Sequence, residues 1–242
     1  MHRPIVVRIL RTMLLLILGM PLLACGPSGP RSVYPPPDIL RMADDQRHEF
    51  IQLFLQGRWC EAQSMFERSR ESYLMQDDFC AAAQNELIAW KLKQYLDITA
   101  GEHLHAAREL VHTGLECPEL HLPGDWLEPQ PPAFSARDEN YRQLMVQRNF
   151  SALANQLRNE PDPLYASVYG RKAALTALVD LNMEQARSLI MQTRDLDARQ
   201  GWIVFLIEDW NIIHSLNLPH QNQQEILHRI ERLQNLIQPC RF

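Results

Sequence analysis

Beyond position 38, apolar residues recur every three or four places and seldom every second place, which is the spacing of one face of an α-helix. The last such run is the plainest. Ile226, Ile230, Leu233 and Ile237 step along the chain with Arg229, Glu231 and Arg232 between them. This pattern predicts helices over 39–56, 59–75, 79–98, 102–114, 137–148, 150–159, 163–180, 183–195, 199–216 and 221–238, with strand signals nearly absent. Gly57, Gly101 and Gly201, and the prolines at 161 and 163, punctuate the junctions. Residues from Trp202 to Ile207 are apolar on every side, so their helix is expected at the centre of the body. The final helix is expected to cap it. The stretch 117–136 holds five prolines, which exclude a helix there. Its Trp126 and Phe134 are expected either to dock on the core or to meet a partner.

The helices fall into pairs. Phe54 closes one helix and Trp59 opens the next, on which Ala62 and Phe66 lie one turn apart. Ala174, Ala177, Asn182, Ala186 and Ile190 give a second unit, and Asn149, Phe150, Leu153 and Leu157 a third. Leu153 and Ala186 are 33 residues apart. These residues resemble the tetratricopeptide repeat family, in which small residues let antiparallel helices approach closely beside an aromatic, with a period near 34 residues. The resemblance covers about half of the chain. It implies an all-α fold of antiparallel helix pairs wound as a right-handed solenoid. Three departures keep an irregular helical bundle open as the alternative: Phe50 stands where that family has a small residue, Ala106 follows Ala62 by 44 residues, and the repeat-ending prolines are missing.

The first residues have a different pattern. Arg3, Arg8 and Arg11 form a basic start, Met13 to Leu23 an apolar zone broken by Gly19 and Pro21, and Ala24 a small residue before Cys25. That is the layout of a secretory signal, and its apolar zone is shorter than the roughly 20 residues of a membrane span. Leu22-Leu23-Ala24-Cys25 resembles the lipobox of bacterial lipoproteins. The resemblance implies cleavage between Ala24 and Cys25 and a lipid-modified Cys25, leaving 1–24 as signal peptide. Two or three acyl chains together anchor a protein stably where one does not. The Gly/Pro/Ser-rich residues 25–38 read as a tether. Gly26, where an Asp would favour retention in the inner membrane, implies by resemblance the periplasmic face of the outer membrane.

Removing the three arginines of residues 1–24 takes the net charge from −5 to −8. An acidic body lacks the electrostatic footprint for nucleic acid. Charged residues at 22% and hydrophobic ones at 46% are those of a globular chain, so disorder is excluded for the bulk of it. With Cys25 taken by lipid, Cys60, Cys80, Cys117 and Cys240 remain, and in an oxidising compartment they read as two cystines. Cys80 opens a helix and Cys117 follows its antiparallel partner, so both belong at one end of that pair. Cys60 lies a helix length away, about 20 Å or more. The expected pairs are Cys80–Cys117 and Cys60–Cys240, with four free buried thiols as the alternative.

No nucleophile elbow, phosphate loop or zinc-protease motif is found, and no cofactor motif. Glu102, His105, Glu109 and His112 fall on one helical stripe, a spacing from which metal ligands can be drawn, although a solvated polar face has the same spacing. The expectation is a non-enzymatic, lipid-anchored envelope protein without a cofactor. Its 39–116 and 137–242 lobes would bind another envelope protein as a scaffold in outer-membrane assembly, secretion or pilus machinery. The alternatives are a periplasmic enzyme or metal protein using that stripe or Glu208 and Asp209, and a structural, cell-wall-associated lipoprotein. Oligomeric state is left open.

Overall fold

The computed structural model describes residues 38–240 apart from 97, 115–116, 118–119, 121, 123–135 and 217–221. Ala24, Cys25, Trp126 and Phe134 therefore lie outside the described residues. Within them the chain is all-α: α1 Asp38–Leu55, α2 Trp59–Met75, α3 Phe79–Gln94, α4 Gly101–Thr113, α5 Ala136–Val146, α6 Phe150–Arg158, α7 Pro163–Val179, α8 Met183–Gln200, α9 Ile203–Ser215 and α10 Gln223–Gln234. The ends that fall furthest short of the periodicity are α3 at Gln94, the start of α9 at Ile203 where 199 is expected, and α10 at Gln234. In the other direction, α8 continues to Gln200, beyond the break expected after 195. Arg194, Ala198, Arg199 and Gln200 are good helix formers, and the stop is supplied by Gly201, whose φ of 70° no helix can use.

One device turns the chain at five junctions. Gly57, Asp77, Arg148, Leu181 and Gly201 all have positive φ. In each case the next residue's N–H returns to a carbonyl five residues back: Arg58 to Leu53, Asp78 to Tyr73, Asn149 to Leu144, Asn182 to Ala177 and Trp202 to Asp197, all at 2.9–3.1 Å. This is the hydrogen bond of a left-handed helix C-cap. At three junctions the same residue then opens the next helix. The side chains of Asp78, Asn149 and Asn182 accept from the backbone N–H groups of Ala81, Ala152 and Gln185. A reversal this short makes neighbouring helices antiparallel.

The residues that carry the repeat pattern point inward. Ala62, Phe66, Leu153, Leu157, Ala174, Ala177, Ala186 and Ile190 are all buried. At Gly170 a Cβ would lie 2.2 Å from Thr193 Oγ1, so α7 and α8 approach at a distance only glycine permits. One hydrophobic core runs from Phe50 and Phe66 through Leu153 and Ile190 to Phe205 and Ile230, and residues 38–242 form one compact unit. The apolar helix α9 sits centrally, packed on α8, α10 and α1, with Trp202 Nε1 donating to Gln52 Oε1 at 3.1 Å. Across the prolyl stretch, Lys91 on α3 reaches Asp138 on α5 at 3.3 Å, and Tyr165 and Tyr169 on α7 donate to the same carboxylate.

The four described cysteines lie in two pairs at disulfide distance. Cα atoms are 5.4 Å apart for Cys80–Cys117 and 4.8 Å for Cys60–Cys240. The second pair fastens the tail after α10 to the start of α2, where Gln238 N–H donates to Gly57 C=O at 2.8 Å. In the chain-entropy account the wider loop is worth about 5 kcal/mol and the narrower about 4.

Leu181 holds its left-handed conformation at 83% exposure, so almost no packing is lost when its side chain is removed. Leu181→Gly is therefore expected to raise unfolding stability in urea by about 0.5–1 kcal/mol, the left-handed penalty less glycine's entropy. Leu181→Ala, which keeps the Cβ, should give no such gain, and an equal gain from alanine would refute the backbone explanation.

Candidate functional site

Chemistry-bearing residues named from sequence come first. On α4 the apolar face is Leu104, Ala107 and Leu110, all buried, and Glu102, His105, Glu109 and His112 stand on the exposed side. The stripe does not converge. Glu102 turns to Lys93 on α3 at 3.2 Å, and His105 Nδ1 faces Glu109 at 3.5 Å. Among the described residues no group of three metal-ligating side chains comes together.

The histidine that enters the structure is His103, one place off that stripe. Its Nδ1 lies 2.7 Å from buried Glu86, its Nε2 2.9 Å from Lys93, and its ring packs edge-on to Phe66. Lys93 can only donate, so Nε2 accepts and Nδ1 carries the proton given to Glu86. Arg70 reaches the other oxygen of Glu86 at 2.8 Å. This cluster ties α2, α3 and α4 together. A cue was available in the sequence: His103 sits four residues before Ala107, on the inward edge of the helix.

Glu208 is half-buried, and Asp209 is wholly buried. Asp209 belongs to a closed polar knot. Arg171 on α7 donates through Nε to Asp209 at 2.9 Å and through a terminal nitrogen to Asp197 at 2.6 Å, and Ser167 donates to Asp197 at 2.9 Å. The guanidinium also lies over the Phe205 ring. Burial pushes the Asp209 carboxyl up to about 8 against the pull of Arg171, and Asp197 is raised for the same reason. Asp197 Oδ1 and Asp209 Oδ2 are buried without a hydrogen-bond partner among the described residues, and a proton on Asp209 leaves a single negative charge beside one guanidinium. The knot pins α7, α8 and α9, which is an architectural role.

Open space that a partner could enter includes a hollow of about 360 Å³ against Met145, Val146 and Leu175, and two larger places. The more apolar one, of about 430 Å³, lies beside α2. Phe50, Phe54, Trp59 and Phe66 wall it, Lys93 and His103 edge it, and Pro239 and Cys240 of the clipped tail close one side. A second cavity of about 480 Å³ continues it along α2 past Glu67 and Glu71 to Leu74. The other place is a cleft of about 590 Å³ beside α6, α7 and α8. Its floor is Leu157, Ala166, Leu189 and Leu196, and Arg158, Glu160 and Arg199 stand among the polar groups that line it. The sequence names Phe54, Trp59 and Phe66 for helix packing and not as a groove wall, and one side of the groove is closed by the tail brought there by Cys240.

The buried proton gives a pH test. The folded chain holds it up to about pH 8, whereas an unfolded aspartate releases it near 3.8. Stability contributed by this group is complete at low pH and is lost as pH rises through that window, by at most about 1.4 kcal/mol per pH unit. Asp209→Asn keeps the hydrogen-bond donor without the titration. Urea unfolding from pH 5 to 9 should show the gap between variant and parent shifting in the variant's favour up to about pH 8, then levelling. A gap constant with pH would mean that Asp209 is ionised throughout. Compared with protein families, characterised proteins and solved structures, the chain matches none.

Proposed function

We propose that this chain is an exported lipoprotein, anchored through lipid on Cys25, whose helical body binds another protein of the cell envelope. The observation that carries the reading is the cysteine inventory. Four of the five cysteines lie in two pairs at disulfide distance, and the fifth is Cys25 at the lipobox-like position. Structural cystines persist in oxidising compartments, and a lone cysteine after a signal-like stretch is then the natural acceptor of lipid. Among the described residues no helix is long and apolar enough to cross a membrane, and the attachment proposed here is the acyl chains alone. Gly26 after Cys25 favours the outer membrane.

The repeated three-residue reversal, with buried small and aromatic residues at matching places, supports a tetratricopeptide-like body. Such a body recognises partners by accepting a helix or an extended peptide between its helices. The grooves beside α2 and α8 are the surfaces it would use.

Intact mass of the chain extracted from membranes is expected to begin at Cys25 and carry diacylglyceryl. Cys25→Ala should leave the precursor uncut and unlipidated. Affinity capture from crosslinked envelopes should then retain one partner at near-stoichiometric yield with the parent and lose it with Cys25→Ala. A mature end elsewhere without lipid would defeat the anchor. Good recovery with no enriched partner would defeat the adaptor role.

A further inference from the structure

We propose that the trough along α2 receives a basic amphipathic helix of the partner, its apolar face on Trp59 and Ile98 above the buried rings of Phe54 and Phe66, and its lysine or arginine side chains on Glu67 and Glu71. The proposal rests on the protein-binding reading above and names the chemistry of the partner.

The two cavities beside α2 share Gln63, Phe66 and Glu67, so they form one trough. From Trp59 to Leu74 it runs about 22 Å, the length of roughly four helical turns. Its two halves differ in chemistry. The half near the clipped tail is apolar, with Trp59 partly exposed and Ile98 37% exposed at its margin. Such a wall suits the apolar stripe of an amphipathic helix.

The other half is lined by Glu67, Glu71 and Glu86 and by Arg70, and two carboxylates are left over once internal pairs are counted. Glu86 is met by Arg70 and His103, and Lys93 by Glu102. Glu67 and Glu71 are both exposed and lie one turn apart on the same face, where like charges repel. Glu67 accepts from neutral Gln63 at 2.8 Å, and among the described residues no cation lies within ion-pair distance of either glutamate. A cation supplied from outside relieves that repulsion. A second copy of the chain fits less well, because two bodies each of charge −8 without residues 1–24 repel. The apolar wall sets affinity, and the two carboxylates set orientation and partner choice.

The test uses the purified full chain with its cysteines oxidised. Fluorescence anisotropy would follow a labelled 16-residue synthetic helix, about four turns long, with leucine and phenylalanine on one face and lysine on the other. A counterpart carries glutamate for lysine. The lysine helix is expected to bind at least about tenfold more tightly than its counterpart. The double variant Glu67→Lys, Glu71→Lys, at exposed positions and with an unchanged thermal melt, should weaken the lysine helix by about tenfold and strengthen the glutamate helix. Ile98→Asp should weaken both. The control Glu184→Lys, Glu225→Lys alters net charge equally on α8 and α10 and should change neither. Binding of neither helix, equal binding of both, or equal losses in the control would overturn the proposal. A captured envelope partner that crosslinks beside α6–α8 and not along α2 would also overturn it, leaving the adaptor reading intact.

Discussion

A chain that reverses between two helices in two or three residues has few conformations open to it, and this one uses the same solution five times. One residue takes positive φ, the following N–H closes on a carbonyl five residues back, and the next helix begins at once. Only Gly57 and Gly201 are glycines, so Asp77, Arg148 and Leu181 hold the conformation against a steric penalty. What offsets it is the packing that the turn enforces. Helices joined so tightly must lie side by side, and the close approach selects small residues at Ala62, Ala174, Ala177 and Ala186, and glycine at Gly170. The repeat-like pattern in the sequence is thus the imprint of the turn on the interface that follows it.

Tight pairs alone do not fix how one pair sits on the next, and here buried polar groups decide. Arg171 reaches two carboxylates on two further helices, so α7, α8 and α9 share one charged knot. Removing Arg171 would leave an uncompensated charge in the core, far costlier than losing an exposed ion pair. Lys91, Asp138, Tyr165 and Tyr169 bind α3 to α5 and α7 in the same manner. The Cys60–Cys240 clip then brings the tail to the start of α2, where it shapes one side of the groove.

These constraints bear on function through position. The groove beside α2 is bordered by the α1–α2 turn, the His103–Glu86 cluster and the clipped tail, all held by the packing and polar contacts just described. A rigid trough of that kind can recognise a partner helix without reorganising, which lowers the entropic cost of binding.

The sequence by itself determined what depends on near neighbours. Helix periodicity, the apolar surround of residues 202–207 and the common end shared by Cys80 and Cys117 are properties of stretches a few turns long, and local steric and hydrogen-bonding rules suffice for them. Phe54, Trp59 and Phe66 were legible as helix-packing residues for the same reason, but not as the wall of a groove. Tertiary structure alone decided which polar residues go inside. Glu102, His105, Glu109 and His112 share a stripe, yet it is His103 that turns inward to Glu86, because α3 and not α4 sets what that ring meets. Asp209 reads as a surface acid beside Glu208 until Arg171, 38 residues earlier, is brought against it. The Cys60–Cys240 pair, 180 residues apart, is reached from the sequence only as the remainder once Cys80 and Cys117 are paired, and Trp202 meets Gln52 across 150 residues. No local pattern encodes such meetings, since they follow from how whole helix pairs stack once their apolar faces are buried.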